Sequence, residues 1–67
     1  MSYWLGTVPN TDDFGCAIID RFYDVKTKLG PWAILSPASY KVYGIKLGTG
    51  YGQCYEKRGT RWVKVEG

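Results

Sequence analysis

The clearest structural signal in the chain is the stretch SPASYKVYG, residues 36–44. Serine at position 36 is favoured just before a helix, because its hydroxyl can accept a hydrogen bond from a backbone N–H of the first turn. Proline at position 37 suits the first helical position, where the missing N–H has no consequence. We therefore expect a short helix from about Pro37 to Tyr43 that ends at Gly44 in the left-handed conformation.

Strand-like segments lie on both sides of this helix. Before it, residues 17–25 and 32–35 are rich in β-branched and aromatic side chains and flank the turn KTKLG, which predicts a hairpin. After it, residues 53–56 and 61–65 flank the turn KRGT, which predicts a second hairpin. The sequence thus predicts a single α+β domain over residues 1–67, rich in β-structure, with two hairpins and one short helix.

Two further segments are predicted to be irregular. The stretch GIKLGTGYG, residues 44–52, holds four of the nine glycines and indicates a loop with positive φ angles. A phosphate-binding loop is disfavoured, because the spacing matches neither glycine-rich nucleotide motif and a strand follows the loop. At the start, YWLG at residues 3–6 predicts a short strand or extended arm, which ends at the turn-forming PNTDD of residues 9–13.

The composition predicts a small aromatic core. The chain has 67 residues, of which 16% are aromatic, and a net charge of +3. A chain of this length buries only about 60% of the surface of its unfolded form, so large rings must supplement the core. We expect Tyr3 and Trp4 to cover that core and Trp32 to be structural. Cys16 and Cys54 are expected to be free, buried thiols in a reduced, cytoplasmic protein, with a bridge between them as the alternative.

Three segments resemble a family of small, uncharacterised proteins of bacteriophages and bacterial genomes. They are KLGPWA at residues 28–33, LGTGYGQ at 47–53, and YEK at 55–57 together with RWVKVEG at 61–67. The likeness extends from about Thr11 to Gly67. It implies a protein encoded by a phage or a related mobile element, which would act in the host cytoplasm.

Many members of that family carry two CxxC motifs, which form the ligand layout of a treble-clef zinc site. The resemblance assigns the four ligand positions to Thr11, Phe14, Ser36 and Ser39, none of which is cysteine or histidine. The implied fold is a treble-clef-like arrangement without zinc, and no metal or other cofactor is expected. We expect Phe14 to fill the vacated centre with apolar surface and Ser36 to cap the helix.

The residue types that catalysis needs are sparse. The chain has no histidine, so the common general-base arrangements are missing. Asp20 and Asp24 are expected about 13 Å apart on one strand face, too far for a catalytic carboxylate pair, and the aspartates at 12 and 13 are typical of turns. Cys54 lacks the partner that would form its thiolate. We expect no enzymatic activity.

Basic residues concentrate in the second hairpin, with tyrosines and a tryptophan among them. Such a mixture suits phosphates and stacked bases. The favoured alternative is a solvated edge hairpin whose rings, including Trp62, face the core. The candidate residues for binding nucleic acid or another partner are Lys57, Arg58, Arg61, Lys64 and Tyr55.

The sequence therefore predicts a non-enzymatic binding module that engages a macromolecule. A host or phage protein is the favoured partner, because the chain is rich in aromatic residues; the roles expected are host-factor inhibitor, accessory protein or virion component. Binding of nucleic acid through the basic hairpin is the alternative. No membrane span is expected, because the apolar runs are too short.

Overall fold

The computed structural model describes residues 2–67, which form four strands and one helix. In chain order these are β1 (Arg21–Lys26), β2 (Trp32–Leu35), α1 (Pro37–Tyr43), β3 (Gly52–Arg58) and β4 (Arg61–Glu66). The four strands make one antiparallel sheet in the order β2-β1-β3-β4. Both predicted hairpins and the predicted helix are confirmed. No helix within residues 2–67 has the length and apolar character that a membrane crossing requires.

The first strand starts later than the sequence predicts. Residues 17–20 lie outside β1. Ala17 instead forms an isolated bridge with Thr11, and Ile18 N donates to Asn10 O at 2.8 Å. Ile18 is 8% exposed and belongs to the core. The expected start was wrong because strand propensity does not specify which backbone a segment bonds to.

Helix α1 has the predicted bounds, but the backbone conformation of Gly44 after it differs from the prediction. The Ser36 hydroxyl accepts a hydrogen bond from Ser39 N at 3.2 Å, as expected of a helix cap. Gly44 has φ −72° and ψ 154°, so the expected left-handed conformation is wrong. Gly44 is extended because it forms a bridge with Thr27. Glycine is required there for another reason, since a Cβ would collide with the Tyr40 ring.

The expected glycine loop is confirmed between α1 and β3. Gly48, Gly50 and Gly52 have φ angles of 118°, 82° and 132°. At Gly52 a Cβ would also overlap the backbone of Asp24 and Val25. A side chain at position 52 would therefore push β3 away from β1.

Strand side chains alternate between two faces of the sheet, and α1 packs on the first of them, the helix face. Tyr23 stacks on Tyr40 of the helix with 4.0 Å between ring centroids. Val25, Leu35 and Cys54 beneath it are fully buried. This face therefore holds an aliphatic core closed by two tyrosine rings.

The second face, the arm face, holds the predicted aromatic core. Phe22 is fully buried, and its ring stacks on Tyr55 at 5.2 Å between centroids. Trp4 and Trp62 each meet Phe22 edge-on at 5.2 Å. The expectation that Trp4 covers the core is confirmed, whereas Tyr3 is 38% exposed.

Segments before β1 cover both edges of the sheet. Along β4, Trp4 N donates to Trp62 O and Lys64 N donates to Ser2 O, each at 2.8 Å. Along β2, Asp13 N donates to Ile34 O at 3.1 Å. Open strand edges can pair with other chains, so these segments occupy the positions where such pairing would begin.

The two cysteines are free, as expected. Cys16 is half-buried in the loop before β1, whereas Cys54 is fully buried on the helix face. Burial raises the pKa of the Cys54 thiol above its usual value. A raised pKa keeps the thiol protonated and unreactive at neutral pH.

Candidate functional site

Three of the five candidate residues lie at the turn between β3 and β4. Gly59 has a φ of 64°, and no residue other than glycine within residues 2–67 has a positive φ. This two-residue Gly-Thr turn fits the type II′ geometry that matches strand twist. The tight turn leaves Lys57, Arg58 and Arg61 exposed. Residues 57–61 form what we name the hairpin tip.

One carboxylate offsets part of the charge near the tip. Glu56 Oε1 accepts from Arg58 Nε at 3.1 Å, and Glu56 Oε2 is paired with Arg21. Hydrogen bonds from these two arginines lower the pKa of Glu56. Lys57 and Arg61 have no carboxylate partner within the described part of the chain. They supply the uncompensated positive charge of the tip.

The aromatic residues of the second hairpin face the core. Tyr55 is 7% exposed, and its hydroxyl donates to Gln53 Oε1 at 2.7 Å. Trp62 is half-buried against the aromatic core, which confirms the inward orientation. Tyr3 does reach the tip, where the guanidinium carbon of Arg61 lies 4.8 Å from its ring centroid. Because the Tyr55 ring is buried, it is not available for stacking with a partner at the surface.

A cleft of about 330 Å³ separates the N-terminal arm from the hairpin tip. Residues 3–6 form one wall, and residues 60–62 form the other. Leu5 is 88% exposed, and Trp4 Nε1 is buried without a hydrogen-bond partner in residues 2–67. This arm cleft combines apolar side chains with the cation of Arg61.

A larger cleft of about 480 Å³ opens on the arm face, beside the glycine loop. Asp24, Gln53 and Lys64 line it together with Trp32, and residues 48–50 form a further wall. Trp32, which the sequence suggests is structural, is 53% exposed. We name this the sheet cleft. Lys64 lines this cleft, whereas the three basic residues of the hairpin tip do not.

A buried carboxylate joins the loop before β1 to the start of α1. Asp12 is 6% exposed; its Oδ1 accepts from Phe14 N and Cys16 N at 2.9 Å each, and its Oδ2 accepts from Ser36 N at 2.8 Å. Burial by itself would raise the pKa of Asp12. Hydrogen bonds from Ser39, Ser36 and Cys16 outweigh it and hold that pKa well below the usual range. Asp12 is therefore more than a turn residue.

The implied zinc-ligand positions surround this carboxylate. Phe14, expected to fill the centre, is instead 41% exposed and stacks on Tyr43 at 4.0 Å between centroids. That expectation was wrong, because the Asp12 carboxylate occupies the space between the loop and the helix. Within residues 2–67, no three side chains of the metal-ligating types lie close enough together to hold an ion.

The carboxylates considered for catalysis are not brought together. Asp20 is exposed and lies before β1, whereas Asp24 lines the sheet cleft. Asp24 pairs with Gln53 and Tyr23 pairs with Cys54, so Asp24 and Cys54 face opposite sides of the sheet. The fold therefore separates the aspartate from the cysteine.

Three features could not be predicted from the sequence: the Asp12 carboxylate, the arm cleft and the sheet cleft. The signal for Asp12 was faint, because an aspartate in a turn normally bonds its own backbone nearby. The sheet cleft depends on which strands are neighbours, and a pairing between β1 and β3 has no local signature in the sequence. None of these features could be predicted from residue types alone.

Comparison with protein-family models, curated proteins and solved structures gives no match for this chain. The fold and the clefts define the class: a small α+β protein with one antiparallel sheet, a charged hairpin tip, the arm cleft and the sheet cleft.

Proposed function

We propose that this protein is a non-enzymatic binding module that recognises another protein through the hairpin tip and the arm cleft. The observation that carries the proposal is the arm cleft, where exposed Leu5 lies beside Trp4, Trp62 and the cation of Arg61. Apolar surface with a polar rim is typical of protein interaction sites. Tryptophan and arginine are also the residues that most often dominate binding energy at such sites.

The charge of the tip indicates the chemistry of the partner. Lys57 and Arg61 lack carboxylate partners in the described residues, and the chain carries a net charge of +3. Opposite charges across an interface steer encounter and select partners. The partner surface we propose presents an apolar side chain for the arm cleft with carboxylates around it.

The proposed biological setting rests on sequence resemblance. Residues 28–33, 47–53, 55–57 and 61–67 resemble small, uncharacterised phage and bacterial proteins. We place the protein in the host cytoplasm, as a phage or mobile-element product that inhibits a host factor or serves as an accessory or virion component.

We also propose that the loop before β1 and helix α1 form a treble-clef-like arrangement without zinc. Its support is the Asp12 carboxylate, which accepts hydrogen bonds from the loop at Cys16 and from the helix cap at Ser36. A carboxylate with several donors can hold two segments together as a bound ion would. It lies among the positions that the resemblance assigns to zinc ligands.

Nucleic acid is the second candidate partner, because Lys57, Arg58 and Arg61 are exposed on one turn. Single-stranded nucleic acid binding also needs exposed rings on which bases stack. Tyr55 and Trp62 face the core instead. This orientation favours the protein partner over the nucleic acid.

The test is a pull-down from bacterial lysate treated with nuclease, using the tagged chain as bait. We expect a specific protein to be retained by the native chain and lost from Arg58→Ala/Arg61→Ala and from Leu5→Ser. The matched control is Lys28→Ala/Lys41→Ala, which removes the same charge from exposed positions distant from the tip. That control should retain the partner.

Equal retention by the tip variant would contradict the proposed surface. If the bait retains material from an untreated lysate and none from the nuclease-treated lysate, nucleic acid would be favoured as the partner. In that case, DNA should bind the purified chain at about 50 mM salt and be released as the salt concentration rises.

A further inference from the structure

The floor of the sheet cleft is a row of polar side chains on three adjacent strands. Asp24 on β1 lies directly opposite Gln53 on β3, and Lys64 on β4 lies opposite Tyr55, two residues further along β3. All three polar side chains line the same cleft. Neighbouring strands are about 4.8 Å apart, so Asp24 and Lys64 stand at opposite sides of the floor.

Each side chain of this row has hydrogen-bonding capacity to spare. Asp24 has no hydrogen-bond or ion-pair partner within residues 2–67, and burial raises the pKa of its carboxyl. Gln53 Oε1 accepts from Tyr55, which leaves its amide NH₂ to donate. Lys64 Nζ donates to Gly67 O at 3.3 Å and has two further protons. The floor thus offers an acceptor at one side and donors across the rest.

Trp32 supplies an apolar wall. It is 53% exposed, while Trp4 and Trp62 pack against the aromatic core. An exposed tryptophan beside free polar groups presents a flat apolar surface next to hydrogen-bonding positions. Such an arrangement is typical of a ligand site. The Trp32 ring is available to a ligand, whereas the rings of Trp4 and Trp62 are used in the core.

The glycine loop forms the remaining wall of the cleft and adds little bulk to it. Gly48 and Gly50 have positive φ angles, and apart from their immediate chain neighbours no atom lies within 4 Å of the position that a Cβ would take. The loop therefore contributes backbone and the Thr49 side chain, with little bulk. The resulting volume of about 480 Å³ falls within the range of about 300–1,000 Å³ for small-molecule sites.

We propose that the sheet cleft binds a carbohydrate, with one sugar ring stacked on Trp32 and its hydroxyls bonded to Asp24, Gln53 and Lys64. A sugar hydroxyl both donates and accepts, so one ring can satisfy the carboxylate and the two donors together. The ligand is uncharged, because the side chains that line the cleft include one carboxylate, of Asp24, and one ammonium, of Lys64, and so favour neither sign. This site lies apart from the hairpin tip and is independent of the proposed protein partner.

The test is a titration of the purified chain with glucose, galactose, mannose, N-acetylglucosamine and their disaccharides, followed by saturation-transfer NMR. The sugar signals report binding in every variant, including those that lack a tryptophan. We expect at least one saccharide to bind with a Kd of about 1 mM or lower. Trp32→Ala should abolish binding, and Asp24→Asn should weaken it by about tenfold.

Lys41→Ala is the matched control, because Lys41 is exposed on helix α1, which packs on the opposite face of the sheet, and it does not line the sheet cleft. It should bind the same saccharide as the native chain does. Circular dichroism of each variant establishes that it is folded; Trp32 is largely exposed, so its loss leaves the core intact.

Three results would overturn the proposal. The first is the absence of saturable binding of every saccharide up to about 10 mM. The second is equal binding by Trp32→Ala and the native chain. The third is binding of an organic cation such as arginine amide, added as a parallel titration, where no saccharide binds, since that would assign Asp24 to a cation site.

Discussion

A single carboxylate, that of Asp12, connects two parts of the chain that are distant in sequence. It accepts from Cys16 N four residues ahead and from Ser36 N twenty-four residues ahead. Hydrogen bonds to a charged acceptor are stronger than neutral ones. We infer that Asp12 holds the loop before β1 against the start of α1.

Asp12→Asn should destabilise the protein by about 3 kcal/mol, measured by urea unfolding. An asparagine can still accept through its oxygen, but its NH₂ would face the Ser36 N–H, so two donors would oppose each other. The matched control is Asp13→Asn, whose Oδ2 accepts from Ile34 N at an exposed position. The control should cost about 1 kcal/mol or less, and equal losses in the two variants would contradict this role for Asp12.

The lowered pKa of the Asp12 carboxyl makes the stability of the protein depend on pH. Because the pKa of Asp12 is lowered in the folded protein, its contribution is complete above the unfolded pKa of about 3.9. That contribution is lost as the pH falls further, towards the folded pKa. The native chain should therefore lose stability below about pH 4 more steeply than Asp12→Asn.

The N-terminal arm acts as an additional, short strand on β4. Backbone bonds join Trp4 to Trp62 and Ser2 to Lys64. The Trp4 ring then reaches across the arm face and meets Phe22 and Tyr55 edge-on, at 5.2 and 5.4 Å between centroids. The arm therefore closes an open edge and completes the aromatic core.

Trp4→Ala should cost about 3 kcal/mol of stability by urea unfolding, because it removes a ring that contacts two core aromatics. Trp4→Phe should cost much less, since it keeps an aromatic ring and removes an indole N–H that has no partner in the described residues. Leu5→Ala is the control in the same arm, because Leu5 is 88% exposed. An unchanged unfolding midpoint in Trp4→Ala would mean that the arm does not belong to the core.

The whole molecule is built on one four-stranded sheet with chain packed on both faces, and it has extents of 32 × 26 × 18 Å. Helix α1 packs on the helix face. On the arm face, Trp4 of the arm and residues of the loop before β1 cover the sheet around Phe22, and the remaining part opens as the sheet cleft. A chain of this size has little core to lose, and typical domain stabilities are only about 5–15 kcal/mol. We therefore expect the cores on the two faces of the sheet to unfold in a single cooperative transition.

Cys54 provides a probe of this cooperative unfolding. It is fully buried on the helix face, and burial raises the pKa of its thiol. In the variant Cys16→Ser, a thiol reagent should react with Cys54 only as fast as the protein unfolds. The complementary variant Cys54→Ser should react faster in the absence of denaturant, because Cys16 is only half-buried. Rapid labelling of Cys54 without denaturant would show that the helix face opens locally.

Local interactions made several elements predictable from the amino-acid order alone. The Ser36 hydroxyl bonds three residues ahead and Pro37 fits the first helical turn, so α1 could be placed from Pro37 to Tyr43. The hairpin turns and the positive φ angles of the glycine loop likewise depend on neighbouring residues. The interactions that stabilise these elements join residues close together in the chain, so the residue types were sufficient to predict them.

Tertiary structure alone decided the features that join distant segments. The pairing of β1 with β3 places Asp24 beside Gln53, and the loop before β1 brings Asp12 to Ser36. Such contacts depend on which surfaces the chain buries together, and a one-residue change of register would send Trp62 to solvent. The order of residues thus specified the hairpins, the helix and the turns, whereas long-range packing created the carboxylate link and both clefts.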